Sequence, residues 1–400
     1  NAAQTAADTN EISMIVAPGW YCGFFGFAEQ NHIYGDKLAA FVNLSIEYED
    51  GTSETICTDT TWSARQCQVR YAEIYHGEVY DRTFKSDEIC KTITVDFDKA
   101  KLSARRSHPV IVKEVIKPKR ILTTPAGETV IDLGQNMVGW MSFKDHEAAG
   151  TKSYIQYGEI LQDGNFYRDN LRTAKAEFTY ISDGTGTTVR PHLTYYGFRY
   201  AKVCGLTKEY SVDDFAGEVI YSDMDIIGHV ETGNSLVNRL FLNALWGQKG
   251  NFVDVPTDCP QRDERLGWTG DAQVFSGTAL FNMDCAAFYS KYGYDMLMEQ
   301  NKRGGMVPMV VPACGLDGGG SSAWADAATV IAWNAYVYTG DKAILKQQYP
   351  SMKGWTDFIH RQDVESGDTG LWQVGFHFGD WLALDNVDPK LPTGATEQFF

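Results

Sequence analysis

The chain has 400 residues and a net charge of -17, with 44% hydrophobic residues and an isoelectric point near 4.9. That length exceeds one ordinary core and predicts two to three domains. The acidic balance argues against nucleic acid or an anionic membrane as partner, and no apolar run approaches the roughly 20 residues that span a bilayer.

Residues 1 to about 220 carry short alternating apolar runs of the kind that make half-buried strands. Val42, Leu44, Ile46 and Tyr48 share one side of a stretch that ends at the turn Glu49-Asp50-Gly51. Similar runs occur at Ile111 to Ile116, Ser153 to Tyr157, Ala176 to Ile181 and Arg199 to Val203, punctuated by Asp163-Gly164 and Asp183-Gly184-Thr185-Gly186. The basic stretch Lys113 to Arg120, interrupted by Pro118, reads as a join between two sandwiches. From about residue 230 the period lengthens. Leu236, Val237, Leu240, Phe241, Ala244 and Leu245 define a helix capped by Asn234 or Ser235. Further helices are expected at about Asp271 to Phe281, Cys285 to Asn301, Trp324 to Tyr338 and Lys342 to Gln348, the last running into Pro350.

Between the first two helices lies Asp254-Val-Pro-Thr-Asp-Cys-Pro-Gln-Arg-Asp-Glu-Arg-Leu-Gly-Trp-Thr-Gly-Asp271. Pro256 and Pro260 bar a continuous helix there, so five carboxylates, two arginines and a tryptophan share an irregular loop. General acid–base chemistry needs one protonated and one ionised group. Asp258, Asp263 and Asp271 lie close to Glu264 in sequence, and like charges raise a carboxyl's pKa; Arg262 and Arg265 oppose this if they point at it. The bland alternatives are a solvated loop, helix capping by Asp271, and a structural ion pair of Arg262 with Asp258 or Asp263.

The loop, in this order, resembles that of the bacterial α-L-rhamnosidases, glycoside hydrolase family 78. The resemblance continues through Gly19-Trp20-Tyr21, Tyr48-Glu49-Asp50-Gly51, Gly77 to Asp81, Asp132 to Asn136, Tyr195 to Tyr200 and Gly379-Asp380-Trp381, spanning nearly the whole chain. It implies two jelly-roll-like β-sandwich domains (1-118 and 119-228) followed by the first part of an (α/α)6 barrel (229-400). The helical part is too short for twelve helices, so an N-terminal portion of a longer enzyme is expected. The resemblance also implies Glu264 as general acid, with Asp258, Arg262, Trp268, Asp271, Trp324 and Trp381 around a terminal rhamnose. Inversion is implied, with the base, a late glutamate, beyond Phe400.

The expected function is therefore removal of terminal α-L-rhamnose from glycans or plant glycosides. The rivals are a non-catalytic carbohydrate-binding protein and a barrel enzyme of different sugar specificity. Trp246, Trp333 and Trp355 read as core, and the tract Tyr167 to Arg172 as turn geometry or domain docking. Gly318-Gly319-Gly320 lacks the lysine of a phosphate loop and reads as a mobile segment near the pocket. The scattered histidines show no zinc spacing, and no segment has an EF-hand pattern, so no cofactor or metal is expected. A calcium ion on sandwich loops and a homodimer both stay open. Eight cysteines without a CxxC pair, and no leader at Asn1, point to a cytoplasmic protein, unless a leader has been removed.

Overall fold

In a computed structural model, residues 11-27, 29-316 and 318-382 are described; the expected barrel residues beyond 382 lie outside them. The first strands described form a hairpin: Asn43–Glu47 pairs with Ser53–Cys57 around the expected Glu49-Asp50-Gly51 turn. Leu44 and Ile46 are half-buried between exposed neighbours, as the alternation requires.

The main sheet has ten strands and recruits residues from both β regions. Its order is Val69–Glu73, Gly77–Asp81, Glu177–Ile181, Lys152–Gly158, Tyr196–Cys204, Thr129–Lys144, Phe215–Ser222 and Val110–Ile116, with Arg120–Thr123 and Thr188–Val189 also pairing the long strand. Pairing is antiparallel except between Glu177–Ile181 and Gly77–Asp81. Residues 110-116 form its outer strand, so the basic stretch read as a join is ladder up to Ile116 and connection only at 117-119.

Besides its two short partners, Thr129–Lys144 pairs Tyr196–Lys202 over its first part and Phe215–Val219 over its last. The change falls at Gly139, at φ 144°, where a Cβ would lie 1.9 Å from the Glu218 carbonyl oxygen. Only glycine allows that approach. On the same strand Asp132 accepts Arg199 Nε at 2.8 Å, which locks together the Asp132 to Asn136 and Tyr195 to Tyr200 landmarks.

Six helices are described: the single turn α1 (Gly19–Cys22), then α2 (Ser235–Asn251), α3 (Thr269–Asn282), α4 (Ala286–Asn301), α5 (Ala327–Thr339) and α6 (Lys342–Ser366). Asn234 caps α2 by accepting the Leu236 N–H at 2.9 Å, which decides between the two expected caps. The apolar stripe of α2 is only partly used. Leu245 is buried and Phe241 packs edge-on to Phe281 at 6.3 Å, whereas Leu236, Val237 and Leu240 are exposed. Trp333, read as core, is also exposed, on the outer side of α5 with Val337 and Tyr338. Trp355 is buried and Trp246 partly so, as expected.

Pro350 does not stop the last helix, which runs to Ser366. Proline removes one backbone donor, but the next two turns of α6 are anchored. Ser351 and Trp355 are buried, Ser351 donates to Gln300 Oε1, and Trp355 Nε1 donates to Asp326 Oδ1 at 2.9 Å. Tertiary contacts thus outweigh the lost donor. One apolar core runs from the sheet (Tyr157, Phe178, Tyr196) into the helices (Phe252, Phe288, Tyr292). The acidic loop lies at that junction.

Candidate active site

The loop starts where α2 stops. Phe252–Val253 folds back on Val255–Pro256, and the backbone stays irregular until Thr269 opens α3. Gly197, on the sheet, has Pro260 against it, with a Cβ at that position 2.9 Å from Pro260 Cγ. The loop is therefore seated on the β-domain. Its other face meets the chain's beginning: Phe25 clusters with Leu266, Val310 and Cys314, and Trp20, Phe27 and Trp268 pack around them.

Arg265 holds the loop's shape. It is completely buried, at φ 52°, and its guanidinium serves three backbone carbonyls: Nη1 donates to Tyr195 at 2.9 Å, Nε to Arg262 at 3.1 Å and Nη2 to Gln261 at 3.2 Å. Tyr75 and Tyr195 place their rings 5.2 and 4.7 Å from it. Arg265 therefore does not point at the Glu264 carboxylate. Arg262 does.

Glu264 is buried, and both carboxylate oxygens accept hydrogen bonds. Oε2 accepts Arg172 Nη2 at 2.7 Å and Arg262 Nε at 3.0 Å, while Oε1 accepts Trp268 Nε1 at 3.0 Å. Two guanidiniums therefore face Glu264, and one of them, Arg172, arrives from outside the loop. Arg262 also donates to Asp258 Oδ2 at 3.2 Å, so its ion pairs are with Asp258 and Glu264. Asp263 turns away to accept the Thr173 hydroxyl at 2.7 Å.

Asp258 Oδ1 accepts the Leu266 N–H at 2.9 Å. Burial, and then the Glu264 charge, pushes the Asp258 carboxyl up to about 6. Asp271 stands in the first turn of α3, where a helix favours a negative charge. It is exposed, yet desolvation, with the Glu264 charge adding to it, raises its carboxyl.

The Asp258 shift predicts a pH dependence. Between about pH 4 and pH 6 the folded chain keeps a proton on Asp258 that the unfolded chain has released, so this group makes stability fall as pH rises through that window, by at most about 3 kcal/mol. Asp258→Asn is expected to remove that contribution. Urea midpoints at pH 4, 5 and 6 check it: the variant should gain on the wild type as pH rises, and a constant difference would rule the assignment out.

The three tryptophans meet at a residue that sequence reading missed. Phe378 is buried, with the ring of Trp324 stacked on it at 4.4 Å and those of Trp381 and Trp268 edge-on at 5.2 and 5.9 Å. Its only sequence signal is that it precedes Gly379-Asp380-Trp381. Trp324 lies in the turn before α5 and covers Gly270, where a Cβ would fall 2.5 Å from the indole. The Gly318 to Gly320 run, expected to be mobile, is laid against the neighbouring segment. Gly319 bridges Pro308, and the Gly320 N–H donates to the Val307 carbonyl at 2.9 Å.

Asp258, Cys259 and Glu264 have ligand atoms within 4.8 Å of one another. They do not make a convincing metal site. Arg262 already supplies the positive charge between the two carboxylates. The candidate residues Asp258, Arg262, Glu264 and Trp268 are thus joined directly by hydrogen bonds. Trp324 and Trp381 join them through Phe378, and Asp271 through its charge.

Three family models cover the chain in succession: the α-L-rhamnosidase N-terminal domain at residues 2-116, the bacterial α-L-rhamnosidase concanavalin-like domain at 122-221, and the bacterial α-L-rhamnosidase 6 hairpin glycosidase domain at 225-398. The chain belongs to the bacterial α-L-rhamnosidase family. Within that family it is 35% identical over 396 residues to an α-L-rhamnosidase of Streptomyces avermitilis, covering 95% of this chain and 38% of the relative. An Alteromonas α-L-rhamnosidase is 34% identical over 389 residues, covering 93% and 41%. The chain thus spans about two fifths of the length of these relatives.

Among solved structures, the Streptomyces avermitilis α-L-rhamnosidase complexed with L-rhamnose superposes with a TM-score of 0.86 at 34% identity, covering 94% of this chain and 37% of that one. The native enzyme from Aspergillus terreus also gives 0.86 at 34% identity, covering 92% and 44%. The expected architecture, β-domains followed by part of a six-hairpin glycosidase domain, is that of the family.

Proposed function

We propose that the protein is an α-L-rhamnosidase that releases terminal rhamnose from glycans or plant glycosides. The observation that carries this reading is the convergence of Asp258, Arg262, Glu264 and Trp268 on one loop of a family whose members include an enzyme solved with L-rhamnose. Glu264 acts as the general acid on the glycosidic oxygen. Asp258, Arg262 and Asp271 offer charged partners for ring hydroxyls, and the aromatic walls of Trp268, Trp324 and Trp381 take the apolar face and the C6 methyl group.

Inversion requires a second carboxylate about 6.5 to 9.5 Å from the acid, with a water between. The Glu264 carboxylate is held by two guanidiniums and an indole.

The test is incubation of the full-length protein with a natural α-L-rhamnoside, following the product by NMR. Rhamnose should appear first as the β-anomer. Release of the α-anomer would exclude inversion, and binding of rhamnose without release would favour the carbohydrate-binding rival.

A further inference from the structure

We propose that Arg172, on the sheet domain, is a positioning residue for the Glu264 carboxyl, so that the β-domain contributes directly to acid catalysis. This rests on the reading of Glu264 as the acid. Arg172 donates to Glu264 Oε2 at 2.7 Å, the shortest contact described for that carboxylate. Arg262, the other guanidinium, divides itself between Glu264 and Asp258. Arg172 has no second carboxylate as close, since Asp263 Oδ1 is 3.9 Å away.

The backbone is arranged to deliver this side chain. Arg172 follows the turn Asp169–Leu171 at φ 56°, ψ -121°, a left-handed φ that residues with a Cβ rarely adopt. A non-glycine residue held there points to a function for its side chain. Both flanks are fixed: Leu171, Ala174 and Ala176 are buried, the Ala176 N–H donates to the Tyr75 carbonyl at 3.1 Å, and Thr173 holds Asp263 at 2.7 Å.

Tyr75 closes the circuit by donating its hydroxyl to the Glu264 carbonyl at 2.7 Å while accepting the Gly26 N–H at 2.9 Å. The acid is thereby gripped from connecting turns of the β-domain at both ends, its carbonyl by Tyr75 and its carboxylate by Arg172. Phe27 lies 5.7 Å from the Arg172 guanidinium on its other side.

A role confined to domain docking makes a different prediction from a role in aiming the acid. An aimed acid matters most when the leaving group is poor, because a 4-nitrophenolate departs without protonation. The experiment measures kcat and KM of the full-length protein, wild type, Arg172→Met and Arg172→Lys, on a natural rhamnoside and on 4-nitrophenyl α-L-rhamnoside, with melting temperatures alongside.

Arg172→Met is expected to lower kcat on the natural substrate by about 10- to 100-fold, part of the ~10² to 10⁴ a general acid supplies. On the nitrophenyl substrate kcat should fall less than about threefold, and Arg172→Lys should recover most of the loss because it keeps a cation within reach of one oxygen. Equal losses on both substrates, or no loss, would overturn the proposal while leaving the function intact. If the wild type cleaves neither substrate, the reading of Glu264 fails and this proposal fails with it.

Discussion

Glu264→Gln in the full-length protein is expected to lower rhamnose release from a natural rhamnoside by about 10² to 10⁴-fold, the contribution of a positioned general acid. Glutamine keeps the shape of the side chain and can still accept the Trp268 indole N–H, which lies 3.0 Å from Oε1. It cannot deliver a proton. The amide also leaves Arg172 and Arg262 facing a weaker acceptor or a donor, so some loss of stability should accompany the loss of rate. Comparing a natural rhamnoside with an activated aryl rhamnoside separates the two effects, because only the chemical loss depends on the leaving group. A variant retaining the wild-type rate on the natural substrate would exclude Glu264 as the acid.

Arg265→Met is expected to destabilise the protein by about 3 to 5 kcal/mol, because three carbonyls lose their donor at once. The side chain is wholly buried, and its removal strands the carbonyls of Tyr195, Gln261 and Arg262. Each buried acceptor without a partner costs about 1 to 3 kcal/mol. Arg265→Lys should rescue little, because an ammonium cannot serve three carbonyls in the geometry of a guanidinium fork. Urea denaturation of wild type and both variants measures this. A Met variant within about 1 kcal/mol of the wild type would show that the loop holds its shape without Arg265.

Much of the candidate site was legible in the chain because its members are close in sequence. Asp258, Arg262, Glu264 and Trp268 lie on one loop bounded by prolines, and backbone constraints alone bring such side chains near one another. Arg172, Tyr75 and Phe378 were not legible in that way. They reach the site from 92 and 189 residues before Glu264, in the case of Arg172 and Tyr75, and from the far side of α6 in the case of Phe378. No local pattern distinguishes them from an ordinary loop arginine, a turn tyrosine or an aromatic core residue.

Helix prediction divided in a similar way. The period of α2 and the capping asparagine were readable from short-range geometry, whereas the exposure of Leu236 and Leu240 was not, because periodicity reports a face and not its covering. Pro350 misled for a related reason. Its local preference to end a helix is real, but Ser351 and Trp355 are held in place by Gln300 and Asp326, residues remote in the chain.

By itself the sequence determined the order of strands and helices, the irregular acidic loop and the family, all of which depend on residue type and short spacing. Tertiary structure decided the charge balance around Glu264. Two residues far apart in the chain, Arg172 and Arg262, share one carboxylate oxygen, and electrostatic interaction depends on distance in space, not separation along the chain.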